Sequence, residues 1–373
     1  MKVIHLFRTS AAGYGLERNL LCTLPGLVDL GVEVVALAVT ETRSGPANPD
    51  FVQRLTDAGV RWINVHADGR IPFRLARKLS GVFRTEDADI IHSHDYKNDL
   101  AMVMARTGRA ARMTTIHGWL TRTLHERFYE WVNVQCCKRL DRVIVFCEDY
   151  RQRLLARGVL DERIRVIPVG IDMAVVPREG RDFRAEWDVP EDGAIVAQIG
   201  RLSLEKHPET FVEIAARLAK RFPEARFVLV GDGGLCEGLT RRIESLGLAG
   251  TIRTTGYVHG IADVLDAVDV AVNCSSTEGI PRTLLEAGAS GVPAVAPAVG
   301  GVPDAIDDGV TGILCPPGDG AAIEAGVARL LDAPGLRRSM GNAAREHVTR
   351  MFGVAACSRR LVVEYEALLS ERG

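Results

Sequence analysis

At 373 residues the chain is longer than one hydrophobic core usually grows, so two domains of roughly 180 residues each are expected. A formal net charge of -2, with 47% hydrophobic and 25% charged residues, is that of an ordinary soluble globular protein and leaves no global field to attract nucleic acid. The eight cysteines include no C-x-x-C pair and most sit in apolar runs such as VIVFC and VAVNC, which argues for buried thiols in a reducing cytosol over disulfides or a zinc site. The segment MKVIHLF enters a strand pattern without the apolar region and cleavage site of a secretory signal, and no apolar stretch approaches the length of a membrane span. A cytoplasmic location is therefore expected.

Along the chain, short apolar runs bounded by Gly, Pro or Asp alternate with longer amphipathic segments, the pattern of parallel βα units, so the fold class is α/β. The first half predicts strands over 2–7, 33–38, 90–93, 113–116 and 142–146, with helices over 16–30, 51–58, 72–83, 99–107 and 124–138. In the third of these helices, Arg70, Arg74, Arg77, Lys78 and Arg84 surround Ile71, Phe73, Leu75, Leu79 and Phe83. Two readings stay open for it: a basic helix lying on the inner face of a membrane, or a surface helix whose arginines snorkel over a core. The segment 119–127, WLTRTLHER, is a candidate acceptor wall.

The alternation pauses near 164–172, where RVIPVGID brings Pro and Gly after a strand-like run, and the domain boundary is placed there. The expected domains cover 1–172 and 173–352, with a C-terminal helix over 353–373 packing back on the first. A second series predicts strands over 194–199, 226–230, 251–254, 270–273 and 294–296, and helices over 208–220, 235–245 and 281–290. Two such sheets imply a cleft between them. Ligands of open α/β sheets bind beyond the carboxyl ends of the strands, so function is sought in the strand-to-helix loops.

The strongest constellation is SSTEGIPRTLLE, where Glu278 lies in a loop after a strand, Pro281 stands at a first helical position, and Glu286 lies inside the helix. A helix N-terminus suits a phosphate or sugar oxygen, and ionised carboxylates accept strong hydrogen bonds from hydroxyls. Upstream, RLSLEKHPE puts Arg201 and Lys206 in one strand-to-helix loop, where two cations could oppose a diphosphate and stabilise its departure. Each feature has a bland reading. Surface helices scatter glutamates freely, and loop cations are usually solvated; it is the context of strand, Glu-Gly-Ile-Pro and helix that gives the acids meaning.

The runs IGRLSLEKHPETFVEIA, FVLVGDGG, EGIPRTLLE, GVPAVAPAVGGVPDAI and DGVTGILCPPGD, with SAAGYGLERNLL, DIIHSHD and TIHGW in the first half, resemble glycosyltransferase family 4. That resemblance implies the GT-B fold, two Rossmann-like domains facing across a cleft, the first binding acceptor and the second the nucleotide sugar. It implies that Arg201 and Lys206 hold the donor diphosphate, that Glu286 holds the ribose hydroxyls and that Glu278 bonds the transferred sugar. Gly13 and Gly15 would close on the diphosphate, His117 would lie near the reacting sugar, and backbone around Val258 would meet the base. Gly279, Ile280 and Pro281 complete the donor loop. Lys206-His207 stands where many relatives have Lys-Gly, and Asp304 where GGxPE has its Glu.

The reaction so implied moves a hexosyl group, with retained anomeric configuration, from a nucleoside diphosphate sugar, with uridine as the base by family frequency, to an acceptor hydroxyl. No side chain stands out as a nucleophile, which favours a same-face route in which the diphosphate helps take the acceptor proton. The acceptor stays open among a glycan, a lipid-linked sugar and a small metabolite; nucleic acid is not expected as a partner. No cofactor is expected, and no metal: the histidines of IIHSHD and Asp232 make a weak cluster, and the two cations already oppose the diphosphate. His92 and His94 alternate, so only one should face the cleft, with structural or acceptor-side roles for both. Two rivals remain, a nucleotide-sugar epimerase and a non-catalytic nucleotide-sugar-binding regulator.

Overall fold

Every residue of the computed structural model is described except 10–14, 42–44, 68–71, 119–122, 174–175, 177 and 373. The chain divides into two compact units, Met1–Gly170 with Val354–Gly373, and Ile171–Gly353. In chain order the first holds β1 (Lys2–Arg8), α1 (Gly15–Val28), β2 (Glu33–Glu41), α2 (Pro49–Asp57), β3 (Arg61–Ala67), α3 (Pro72–Glu86), β4 (Ile90–Ser93), α4 (Tyr96–Met104), β5 (Ala111–Ile116), α5 (Leu124–Cys137), β6 (Arg142–Val145), α6 (Glu148–Ala156) and β7 (Ile164–Val166). The second holds α7 (Phe183–Glu186), β8 (Ile195–Ile199), α8 (Pro208–Arg221), β9 (Arg226–Val230), α9 (Cys236–Ser245), β10 (Ile252–Thr254), α10 (Ile261–Ala267), β11 (Val270–Val272), α11 (Arg282–Ala289), β12 (Ala294–Pro297), α12 (Val302–Ala305), β13 (Gly312–Cys315), α13 (Gly320–Asp332) and α14 (Pro334–Phe352). Helix α15 (Val354–Ser370) returns to the first unit.

Both sheets are parallel. The first has the order β3-β2-β1-β4-β5-β6-β7 and the second β10-β9-β8-β11-β12-β13. Central strands are buried on both faces, as covered parallel sheets require. In β1, Val3 and Phe7 join the core with Leu24, Leu361 and Tyr365, whereas Ile4 and Leu6 point the other way, toward Leu75, Leu79 and Met102. Each such fully buried side chain contributes about 1.5–3 kcal/mol. Helix α15 is tied to β6 through Arg142, whose Nε lies 2.5 Å from Glu364 Oε1. In the second unit Phe211, Ala215 and Leu218 recur at helical spacing in α8 and pack in one core with Phe227 of β9.

Three strands escape the sequence pattern: β3, β7 and β13. All are sheet edges. In β3, RWINVHA, Arg61, Asn64 and His66 are exposed, so no apolar run marks it; β7 has only three residues. Helix α4 begins at Tyr96, earlier than predicted, because Asp95 caps it by accepting from the Lys97 and Asn98 amides. Helices α6, α10 and α12 through α15 were likewise not marked as separate periodic runs, apart from the C-terminal one.

Candidate functional site

In the second sheet the strand order reverses beside β8, so the loops after β8 and β11 flank the crevice where open α/β sheets take ligands. The β8 loop contains one 3-10 turn, Leu204–Lys206, and then His207 in the left-handed conformation (φ 45, ψ 52), directly before Pro208 opens α8. A glycine would hold that conformation without strain, and His207 is the residue standing in its place. The two loops are laced together: Ser276 N donates to Glu205 O at 3.0 Å, and Gln198 Nε2 donates to Lys206 O at 2.9 Å.

Lys206 Nζ lies 2.6 Å from Glu278 Oε1. The same oxygen accepts from Asn273 Nδ2 at 2.8 Å and Ser275 Oγ at 2.7 Å, while Asn273 Oδ1 accepts from Ser275 N at 2.7 Å. Among the described residues none donates to Oε2. Three donors on one oxygen fix the orientation of the carboxylate and so the place of its second oxygen. From below, Gly300 (φ 53) presses on this loop so closely that a Cβ would stand 1.8 Å from Glu278 O, and Gly301 N donates to Gly279 O at 2.8 Å. The GGVPD run is thus the floor of the Glu278 loop.

Gly279 and Ile280 are half-buried in that loop. Pro281 corrects the expectation of a first helical residue: with φ -74 and ψ 100 it is the cap, and α11 starts at Arg282. Glu286, one turn along, is 1% exposed and lies 3.6 Å from Arg282 Nη2. Arg201 opens the β8 loop, exposed; its carbonyl accepts from Ser203 N at 3.0 Å, and its side chain makes no hydrogen bond or ion pair to a described residue. Val258 is half-buried on the loop after the edge strand β10.

In the first unit, Gly13 lies outside the described residues and Gly15 is the first residue of α1. His117 follows β5 and is half-buried. The expectation that only one of His92 and His94 faces one side is corrected: residues two apart along an extended chain lie on the same face, and the His94 ring stacks on His92 at 4.4 Å between centroids. His5 pairs in register with His92 on the adjacent strand. Burial pushes the His5 imidazole down to about 3 and His117 to about 4, and drives His92 and His94 well below the usual range, chiefly by desolvation. Ring nitrogens of His5, His92 and His94 lie within 4.8 Å of one another. They are engaged in hydrogen bonds with each other and with Tyr365 and Thr115. Nearby, burial raises Asp99 to about 7, with Asn133 Nδ2 2.7 Å from its carboxylate.

On α3, Leu75, Leu79 and Phe83 belong to the core, and Phe73 is 65% exposed beside exposed Arg74 and Arg77. Most of the apolar face read as a membrane surface therefore covers the sheet. Arg70 and Ile71, and residues 119–122 of the acceptor wall, lie outside the described residues. No helix among the described residues is long and apolar enough to cross a membrane.

Sequence reasoning missed Asn273 and Ser275, which hold Glu278, and His5 and Tyr365. The signal for the first pair was available: two polar residues alternating directly after the apolar run of β11. His5 interrupts KVIHLFR as its one polar interior residue. Tyr365 carries no local signal.

Residues 180–347 match the family described as glycosyl transferases group 1, and residues 14–175 the one described as glycosyltransferase family 4. The chain is 28% identical over 364 residues to the D-inositol 3-phosphate glycosyltransferase of Kribbella flavida, covering 86% of this chain and 83% of that one. It is 26% identical over 310 residues to the N-acetyl-alpha-D-glucosaminyl L-malate synthase of Bacillus anthracis, covering 79% and 77%. The solved structure of HepE from Anabaena in complex with UDP is similar with a TM-score of 0.81 at 21% identity, over 98% of this chain and 100% of that one.

Proposed function

The chain belongs to the family 4 glycosyltransferases, of GT-B fold, and from that premise we propose that it transfers a hexosyl group from a uridine diphosphate sugar to an acceptor hydroxyl with retained anomeric configuration. The observation that carries the donor reading is the Lys206–Glu278 contact of 2.6 Å where the β8 and β11 loops meet. A diphosphate entering there draws the ammonium to itself, and Glu278 is released to accept from hydroxyls of the transferred sugar. The bond from the anomeric carbon to the phosphate oxygen breaks as the acceptor oxygen bonds to the same face, and the acceptor proton passes to the departing diphosphate. Fixed positive charge at the leaving group is worth several kcal/mol in such a step.

In this reading Arg201, unpaired among the described residues, is the second cation on the diphosphate. Glu286 takes the ribose hydroxyls, Val258 offers backbone to the base, and the amides of Gly279 and Ile280 with the turn at Pro281 border the donor. In the first unit, His117 takes a sugar hydroxyl and Gly13 and Gly15 the diphosphate, with that unit the acceptor domain. The relatives named for inositol 3-phosphate and malate act on small hydroxylated acceptors, which supports a small metabolite over a polymer. A cytoplasmic site of action follows from this substrate class, and the exposed Phe73 and its arginines suit a peripheral contact with the inner membrane face.

A panel of nucleotide sugars tests the reading. It expects one uridine diphosphate sugar to bind and to be consumed when acceptor is added. Isomerised sugar formed without acceptor would make the protein an epimerase, and binding with no turnover against any acceptor would make it a regulator.

A further inference from the structure

The buried histidines of the first unit form one unbroken hydrogen-bonded line. Thr115 Oγ1 lies 2.7 Å from His92 Nε2, and His92 Nδ1 2.7 Å from Tyr365 Oη. Tyr365 Oη lies 3.3 Å from His5 Nε2, and His5 Nδ1 2.9 Å from His94 Nε2. His94 Nδ1 lies 3.1 Å from His117 Nε2, whose Nδ1 faces Asn19 Nδ2 at 3.4 Å. Every ring uses both nitrogens, and the single tyrosine hydroxyl joins two strands' histidines through α15.

A neutral imidazole has one donor and one acceptor, and a hydroxyl gives one hydrogen and accepts others. In a line of such groups only two arrangements satisfy every member. In one, Asn19 donates to His117 Nδ1 and all four histidines carry hydrogen on Nε2, each donating inward until His92 donates to Thr115. In the other, Thr115 donates to His92 Nε2, the hydrogens all sit on Nδ1, and His117 Nδ1 donates outward. A break at Tyr365, whose oxygen can accept from both His5 Nε2 and His92 Nδ1, leaves the phenol hydrogen without an acceptor, and a break anywhere else sets two hydrogens or two lone pairs face to face; in a site where His5 and His92 are 0% and 1% exposed, either costs the desolvation of a buried polar group. The members therefore change together or not at all.

We propose that this line is a two-state relay that sets whether His117 Nδ1 presents an acceptor or a donor to a bound sugar hydroxyl, with His5, His92, His94 and Tyr365 as positioning residues. The sugar clause rests on the donor reading above. The two states hold the same number of hydrogens, and passing from the inward to the outward one takes a proton from water at His117 Nδ1 and returns one to water from Thr115 Oγ1. At the outer end the Asn19 amide nitrogen, 3.4 Å from His117 Nδ1, favours the inward state.

The test reads ring tautomers by nitrogen NMR on the full chain at neutral pH. The wild type is expected to show His5, His92, His94 and His117 all with hydrogen on Nε2. Thr115→Val removes the innermost acceptor, so a bare lone pair is better placed there than a bare N–H, and all four rings are expected to move to the Nδ1 form. Tyr365→Phe should move His5, His94 and His117 in the same way. A change at His117 caused by residue 115, which it does not touch, is the signature that independent structural histidines would not give. In turnover, Thr115→Val is expected to lower kcat about tenfold with donor KM within about twofold, the size of one mis-set hydrogen bond. Mixed tautomers in the wild type, an unchanged His117 in both folded variants, or nitrogen shifts of metal-bound imidazole would overturn the relay. If instead the tautomers move together and no nucleotide sugar shifts the His117 ring signals, the relay stands and the donor reading fails.

Discussion

Both sheets reverse their strand order beside their first strand, between β1 and β4 in one unit and between β8 and β11 in the other, and both place polar side chains there. The first unit fills the position with neutral rings that burial holds uncharged and that satisfy one another. The second fills it with a cation and a carboxylate at 2.6 Å, Lys206 remaining partly open to solvent. Hydrogen-bonded neutral groups can be sealed in a core at little cost, whereas charges must keep water or a charged ligand within reach. The same topology thus yields a polar interior of neutral rings in one unit and a charged pair partly open to solvent in the other.

The sharpest way to break this contrast is Lys206→Ala. It removes the one cation on Glu278 while Asn273 and Ser275 remain, so kcat is expected to fall by about 10²–10³ with the fold intact. Unchanged turnover at saturating donor, measured beside a native circular dichroism spectrum, would count against the pair. Next, Gly300→Ala meets both a left-handed φ and the Glu278 carbonyl, so the loop must shift. A loss of about 1–3 kcal/mol in denaturant unfolding and a fall in activity are expected, whereas the neighbouring exposed Pro303→Ala should leave stability nearly unchanged.

Acid tests the sealed interior. The four histidines have folded values below their unfolded 6.5, so the unfolded chain binds more protons, and the stability they lend is present above that value and lost as pH falls toward the folded ones. Between pH 6.5 and 5, His5 and His117 cost roughly 1.5 kcal/mol each, and His92 and His94 add in the same direction. Asp99, raised to about 7, binds its proton in the folded state and offsets about 2 kcal/mol over that range. The net expectation is a melting temperature several degrees lower at pH 5 than at pH 7; a flat or rising profile would mean that the rings are hydrated. The smallest effect is expected from Asn273→Ala, which leaves Glu278 two donors and should cost about tenfold in kcat/KM.

Central strands were legible because burial on both faces writes a continuous apolar run, as in the VIVFC and VAVNC segments. Of the four edge strands only β10 was, since solvent on one side admits residues such as Arg61 and Asn64 in β3. Lys206 and Glu278 were legible as candidates because their motif context is local, but their contact at 2.6 Å was not, since it joins loops 72 positions apart. The relay was not: His5 and Tyr365 meet across 360 positions, and nothing near either announces the other. Pro281 was misplaced by a single residue, since a proline suits a cap and a first helical position alike.

The most direct test is a crystal structure of the protein with a uridine diphosphate sugar. The account predicts the diphosphate within hydrogen-bond distance of Lys206 Nζ and a sugar hydroxyl on Glu278; a nucleotide bound elsewhere, with the Lys206–Glu278 contact unchanged, would contradict it.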